Sequence, residues 1–228
     1  MEDILDNPAW NALASHNNPL GFITETAAYF DPAVSPFVAL SAPTQACLND
    51  LYQTVPFDDD VVLVSNAKLA IEGLWEKVIR IDGFQMIYRG PERPVVDGPE
   101  PVQLGKQFVP RMLALTKLTN PGPFLPKTIN FGHYEGIFEG DQLIAMAGQR
   151  LHLNGFAEIS AVCTHPDHLG KGYARRLLLR QVNRIQEASE TPFLHAKADN
   201  TRAIGVYESL GFEIRTEIFF YILSKSTK

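Results

Sequence analysis

At 228 residues the chain suits one large domain, or one standard domain with a smaller one beside it. Its 45% hydrophobic fraction is enough for a real core, and a formal net charge of -6 argues against generic nucleic-acid binding, which needs basic patches to displace phosphate counterions. Two cysteines, Cys47 and Cys163, are too few for a disulfide framework and fit a reducing compartment. The acidic start carries no leader pattern, and no apolar run approaches the roughly 20 residues that span a bilayer. The expectation is a cytoplasmic protein that binds neither membrane nor nucleic acid.

Asn7-Pro8 reads as a helix start, with Asn7 as cap and Pro8 at the first helical position. Val61–Val64 is a β-branched run, Ile71–Val78 has helical spacing, and Phe84–Tyr88 resembles a strand. Residues 89–101, RGPERPVVDGPEP, are too rich in proline to be a central strand or helix interior. They divide the chain into 1–98, a smaller α/β segment, and 99–228. After them come a helix at Arg111–Leu118, a turn at Thr119–Phe124 and a hairpin of Tyr134–Phe138 with Leu143–Gln149. Phe156–Thr164 is an apolar strand. From Tyr173, the residues Ala174, Leu177, Leu178, Val182 and Ile185 make a one-sided helical stripe, with arginines on the other faces as a solvated surface. Thr191-Pro192 is expected to end that element. A strand at Phe193–Ala196, a helix at Thr201–Ser209 capped by Gly211, and strands at Phe212–Ile214 and Glu217–Leu223 complete the chain.

The chemistry concentrates where a strand meets a helix through Asp167-His-Leu-Gly-Lys-Gly172. A helix N-terminus leaves four N–H groups without intrahelical partners, and its dipole adds about half a positive charge. Gly170 and Gly172 present no β-carbon to a ligand, and Lys171 adds a cation at the rim. Such a turn suits a pyrophosphate. The P-loop spacing is absent, and Arg175 stands where a dinucleotide fingerprint needs its third glycine.

The turn, with Val162-Cys-Thr-His-Pro166 before it, resembles the acyl-CoA turn of the GNAT acetyltransferases; Asp167 stands where that family often has Gln or Arg. A second block, Asp199-Asn200 through Ala203-Ile204 and Tyr207 to Gly211-Phe212, resembles the family's later signature. The resemblance covers about residues 100–228, and the whole chain resembles GNAT proteins with an N-terminal extension. It implies an α/β GNAT fold: a mixed central sheet flanked by helices, preceded by the smaller segment.

The resemblance also implies an N-acetyltransferase that uses acetyl-CoA as co-substrate and no metal. The backbone of Leu169, Gly170, Lys171, Gly172, Tyr173 and Ala174 would hold the pyrophosphate. Val162 and Thr164 would pair with the pantetheine arm, in a cleft where their strand splays from Phe193–Ala196. A backbone N–H near Val162 would face the carbonyl oxygen. Asn200 matches a residue that contacts the CoA arm, and Tyr207 the general acid.

For the base, Glu158 lies four residues before Val162 and so on the same face of a regular strand; His195 is the second candidate. Both blander and competing readings stay open at this stage. Tyr207 and Glu158 are also readable as core and salt-bridge residues, His165 and His168 as turn residues or a metal pair, and Cys163 as packed. The loop Pro121–Phe124 is readable as acceptor wall or plain turn. The acceptor is a small-molecule or peptide amine, and the acidic balance favours a basic one. Oligomeric state is open, a homodimer included. A non-catalytic acyl-CoA sensor is the alternative, as is an interaction protein working through residues 1–98.

Overall fold

The β-branched and aromatic runs scattered along the chain meet in one sheet. The computed structural model describes residues 2–98 and 100–225, without the side chain of Lys77. Its strands are β1 (Gly21–Ile23), β2 (Ala27–Phe30), β3 (Phe37–Leu40), β4 (Val61–Ser65), β5 (Trp75–Tyr88), β6 (Val102–Gln103), β7 (Glu135–Glu139), β8 (Gln142–Leu153), β9 (Phe156–Thr164), β10 (Thr191–Lys197) and β11 (Phe212–Lys225). They lie in the order β1-β2-β3-β4-β11-β5-β10-β9-β8-β7-β6. Neighbours run antiparallel except β3 with β4 and β9 with β10, so the sheet is mixed.

Helices cover both faces. α1 (Pro8–Leu13) and α3 (Val109–Thr119) pack with Phe37, Met146 and Phe193 on one side. On the other, α2 (Gln45–Thr54) packs on Phe219 and Tyr221, while α4 (Tyr173–Glu187) and α5 (Thr201–Ser209) pack on Met86, Ile159 and Phe212. The stripe of α4 buries Leu177, Leu178, Val182 and Ile185, as its spacing predicts.

Several local expectations change under tertiary pairing. Residues 71–74 are irregular and Trp75 opens β5, because β5 zips along β11 from Phe212↔Tyr88 to Lys225↔Trp75. Thr191-Pro192 starts β10 rather than ending an element. The two C-terminal strands are one, bent by a bulge at Arg215. Asn7 stands at the cap of α1 but donates to the Leu40 carbonyl instead, at 2.7 Å. The proline-rich stretch lies along α4, whose Arg176 and Asn183 hold the carbonyls of Asp97 and Pro94 (2.7 and 3.0 Å). Arg180 pairs with Glu135 and Glu100, so this arginine face is engaged rather than simply solvated.

Strands from both sides of residue 98 share the sheet, and β5 lies between β11 and β10. A fragment of residues 1–98 therefore leaves β5 with no neighbour on either edge. It is expected to give a disordered circular-dichroism spectrum or to aggregate; a soluble, cooperatively melting fragment would contradict this.

Bulges interrupt several of the strands. Besides the one at Arg215, an extra residue sits in β8 between Gln149 and His152, and another in β9 between Ser160 and Cys163. Ala161 takes a φ of 54°, which an L-residue adopts at a cost, so surrounding pairing must hold it there.

Candidate active site

Pairing between β9 and β10 runs only from Thr191↔Phe156 to Phe193↔Glu158. Beyond it the pairing ends, and a cleft of about 640 Å³ opens beside the free end of β9, walled by the start of α4, by α5 and by the end of α3. Val162, Thr164, Leu169, Gly170, Gly172, Tyr173, Ala174, Asn200 and Tyr207 all line it. Lys171 does not; its Nζ donates to His168 Nδ1 at 3.3 Å.

The turn has the predicted geometry. Gly170 and Gly172 have φ of 77° and 78°, and a β-carbon at either would meet no atom within 4 Å. Both positions thus face open space, and glycine is required for the left-handed backbone. Gly172 is the N-cap of α4 and has no side chain to cap it; the first helical bond is Arg176 N–H to Gly172 O. The N–H groups of Tyr173, Ala174 and Arg175 precede that bond, which leaves donors at the cleft.

Three further groups fit a ligand with a polar arm. Thr164 Oγ1 is buried without a hydrogen-bond partner, a costly state unless something else supplies one. Asn200 Oδ1 caps α5 through the Ala203 N–H at 3.2 Å, which leaves its amide N–H groups to donate. The Tyr207 hydroxyl has no hydrogen bond to any described residue, and burial, with Cys163 nearby, pushes its pKa up to about 12. Cys163 also lines the cleft but is buried in the core cluster of Met146, where burial raises its thiol to about 11; it is a packed thiol. His165 and His168 shape the turn, with rings 5.5 Å apart and His165 Nδ1 accepting from Asp167 N–H.

Glu158 is elsewhere. The bulge at Ala161 reverses the alternation of β9, so Val162 packs toward α4 while Glu158 lies on the α3 side of the sheet. The same-face argument assumed a regular strand and fails for that reason. Glu158 is fully buried and accepts from Arg150 Nε (2.9 Å), Arg150 Nη2, Leu151 N–H (3.2 Å) and His195 Nδ1 (2.8 Å). Burial opposes its charge, but Arg150 and then His195 outweigh burial and hold its pKa at about 2.

The chain of bonds continues across the sheet. Arg215 Nη1 donates to Gln85 Oε1 (3.0 Å) and Gln85 Nε2 donates to the Leu5 carbonyl (2.9 Å), which fixes that amide. Its second N–H meets His195 Nε2 at 3.1 Å. The Gln85 amide thus donates to Nε2, which leaves Nδ1 to donate to Glu158. Five adjacent strands, β11, β5, β10, β9 and β8, each contribute one member: Arg215, Gln85, His195, Glu158 and Arg150. Sequence reasoning missed Gln85, Arg150 and Arg215. A signal existed for Arg150, the one charge within the apolar run Leu143–Leu151.

A second cavity, of about 330 Å³, lies on the α3 side and is lined by Phe37, Val62, Ile81, Arg150, His195 and Phe220 among others. Asn120 and Pro121 line both spaces, so the two meet there. The loop at 121–124 thus forms cavity wall, while Phe124 anchors it edge-on to Tyr134 at 5.6 Å.

The family model for FR47-like proteins matches residues 134–221. A crystal structure of a GNAT-family protein from Novosphingobium aromaticivorans is 36% identical, covers 98% of this chain and 99% of its own, and superposes with a TM-score of 0.89. A GCN5-related N-acetyltransferase from Kribbella flavida shares the fold at 14% identity (97% of each chain, TM-score 0.63). So does a Drosophila protein at 16% identity (86% and 73% covered, TM-score 0.64). No curated protein shows a significant match. Among the described residues no helix is long and apolar enough to cross a membrane.

Proposed function

The chain belongs to the GNAT family, and from that premise we propose that it transfers an acetyl group from acetyl-CoA directly to a primary amine. The observation that carries this reading is the cleft itself. Open left-handed glycines at the uncapped start of α4 lie in one wall with Thr164 Oγ1 and the Tyr207 hydroxyl, both without protein partners.

Residues 169–174 would hold the pyrophosphate through backbone N–H groups, with Arg175 at the cleft edge. Thr164 and Asn200 supply polar contacts to the arm. The ladder is interrupted at Ala161–Val162, and we assign the Val162 N–H to the thioester oxygen as it gains charge. The neutral amine attacks the carbonyl carbon, the C–S bond breaks, and the N–H proton lost as the amide forms ends on the thiolate sulfur. A phenol at about 12 stays protonated at neutral pH, whereas a thiol has a pKa near 8.5. Tyr207 therefore serves chiefly as a hydrogen-bond donor to the departing sulfur. Residues 99–228 carry the cleft; residues 1–98 contribute Phe37, Val62 and Ile81 to the acceptor side.

The first test is calorimetric titration with acetyl-CoA beside Gly172→Glu. Wild type should bind at micromolar concentrations. The variant should lose binding, since a carboxylate at the helix start repels the pyrophosphate and strains a φ of 78°. Absence of binding in wild type would sink the acyltransferase reading.

Neither predicted base is free to act. Glu158 is saturated with donors, and His195 Nε2 already accepts from Gln85. We infer that the amine sheds its proton to water and reacts as its own free base. Then kcat/KM should rise about tenfold per pH unit below the amine's pKa, and the inflection should move when an acceptor of pKa about 9 replaces one of about 10. One fixed inflection near neutrality for both amines would restore a protein base.

A further inference from the structure

The second cavity has no acidic residue in its lining. Its charged members are Arg150 and Lys197, set among Phe37, Val62, Phe220 and Ile222. The overall charge of -6 favoured a basic acceptor, yet this wall is locally cationic and apolar. Arg150 is a fixed group there. Its side chain is 13% exposed, its Nε and Nη2 are committed to Glu158, and its guanidinium stacks 4.5 Å from the Phe37 ring centroid. Arg150 Nη1 has no hydrogen-bond partner among the described residues, and neither it nor Lys197 has any other acidic partner there. A planar guanidinium held by its far edge presents preset donors that match a carboxylate. Glu158 cancels much of the Arg150 charge, and Lys197 supplies the uncompensated one.

We propose that the acceptor is an amino-acid-like molecule: a small amine that carries a carboxylate beside an apolar side chain, with the carboxylate on Arg150 Nη1 and the side chain against Phe37 and Phe220. The identity of the amine as acceptor rests on the acetyltransfer reading above; the carboxylate site does not. The cavity volume is at the small end for ligand pockets and suits one such molecule.

The test compares molecules that differ only in the carboxylate. Phenylalanine and phenethylamine are titrated into the full chain by calorimetry, with and without CoA, and then used in a thiol-release assay with acetyl-CoA. Phenylalanine should bind at least tenfold more tightly and show the higher kcat/KM. Equal or reversed preference in binding overturns the proposal. Turnover of neither amine, with the binding preference intact, would instead count against acetyltransfer and leave the carboxylate site standing. Arg150→Lys keeps a cation beside Glu158 but loses the fork, and should cut the preference about tenfold; an unchanged preference in a folded variant also overturns the assignment. If that variant does not fold, the wild-type pair decides alone.

Discussion

Replacing Tyr207 by Phe should lower kcat by about 10²–10³-fold while leaving the affinity for acetyl-CoA within a few-fold. The phenyl ring keeps the packing against Phe212, whose centroid lies 6.2 Å away, so the fold loses little. What disappears, on the reading proposed above, is the donor assigned to the departing sulfur, a hydroxyl with no partner among the described residues. Because that donor matters only as charge builds on sulfur, the loss belongs in kcat rather than in binding. Steady-state thiol release and a parallel CoA titration separate the two. Unchanged turnover would return Tyr207 to the role of a core tyrosine. No turnover in wild type, with intact CoA binding, would favour an acyl-CoA sensor.

The second large effect concerns stability. Glu158→Gln removes a charge that Arg150, Leu151 and His195 all address. The arginine is left buried without its counterion, and an amide N–H₂ faces its donors. Breaking one partner of a buried pair costs about 3–5 kcal/mol, so the melting temperature should fall by roughly 10 °C for a chain of this size. A double change, Arg150→Met with Glu158→Leu, should recover part of that loss, since an apolar pair leaves no orphan charge. In wild type the same carboxylate makes stability pH-dependent. Its pKa is depressed from 4.5 to about 2 in the folded chain. The stabilisation, on the order of 3 kcal/mol, is therefore complete above about pH 4.5 and is lost as pH falls toward 2. Urea melts across that window should show the decline in wild type and a flatter profile in Glu158→Gln.

The glycine turn was legible because its demand is local: two positions of positive φ beside a helix start admit little but glycine. The stripe of α4 was legible for a similar reason, since periodicity survives any tertiary context that buries one face. Ile71–Val78 was misread because its apolar spacing mimics a helical turn, and nothing local announces that β11 will claim the segment from Trp75 onward. The role of Glu158 failed on a feature with no sequence signature. Ala161 looks like any other strand alanine, yet its backbone carries the bulge that moves Glu158 away from Val162. The network is long-range in every step from Arg215 to Glu158, with only the last link to Arg150 crossing a hairpin, and its members are chemically ordinary until the strand order is known.

The bulge in β9 gives that strand two phases. Up to Ser160 the even-numbered side chains, Glu158 among them, lie on the face that holds the hydrogen-bonded network; after it the even-numbered Val162 and Thr164 belong to the cleft. One continuous strand can thus hold the sheet together at one end and meet a ligand at the other, without a residue serving both. It follows that the register of this strand is under tighter constraint than its composition. Ironing the bulge out by a one-residue slip would put Ala161 and Cys163 where Val162 and Thr164 now stand, whereas deleting Ala161 would leave those two on the cleft face and remove only the kink.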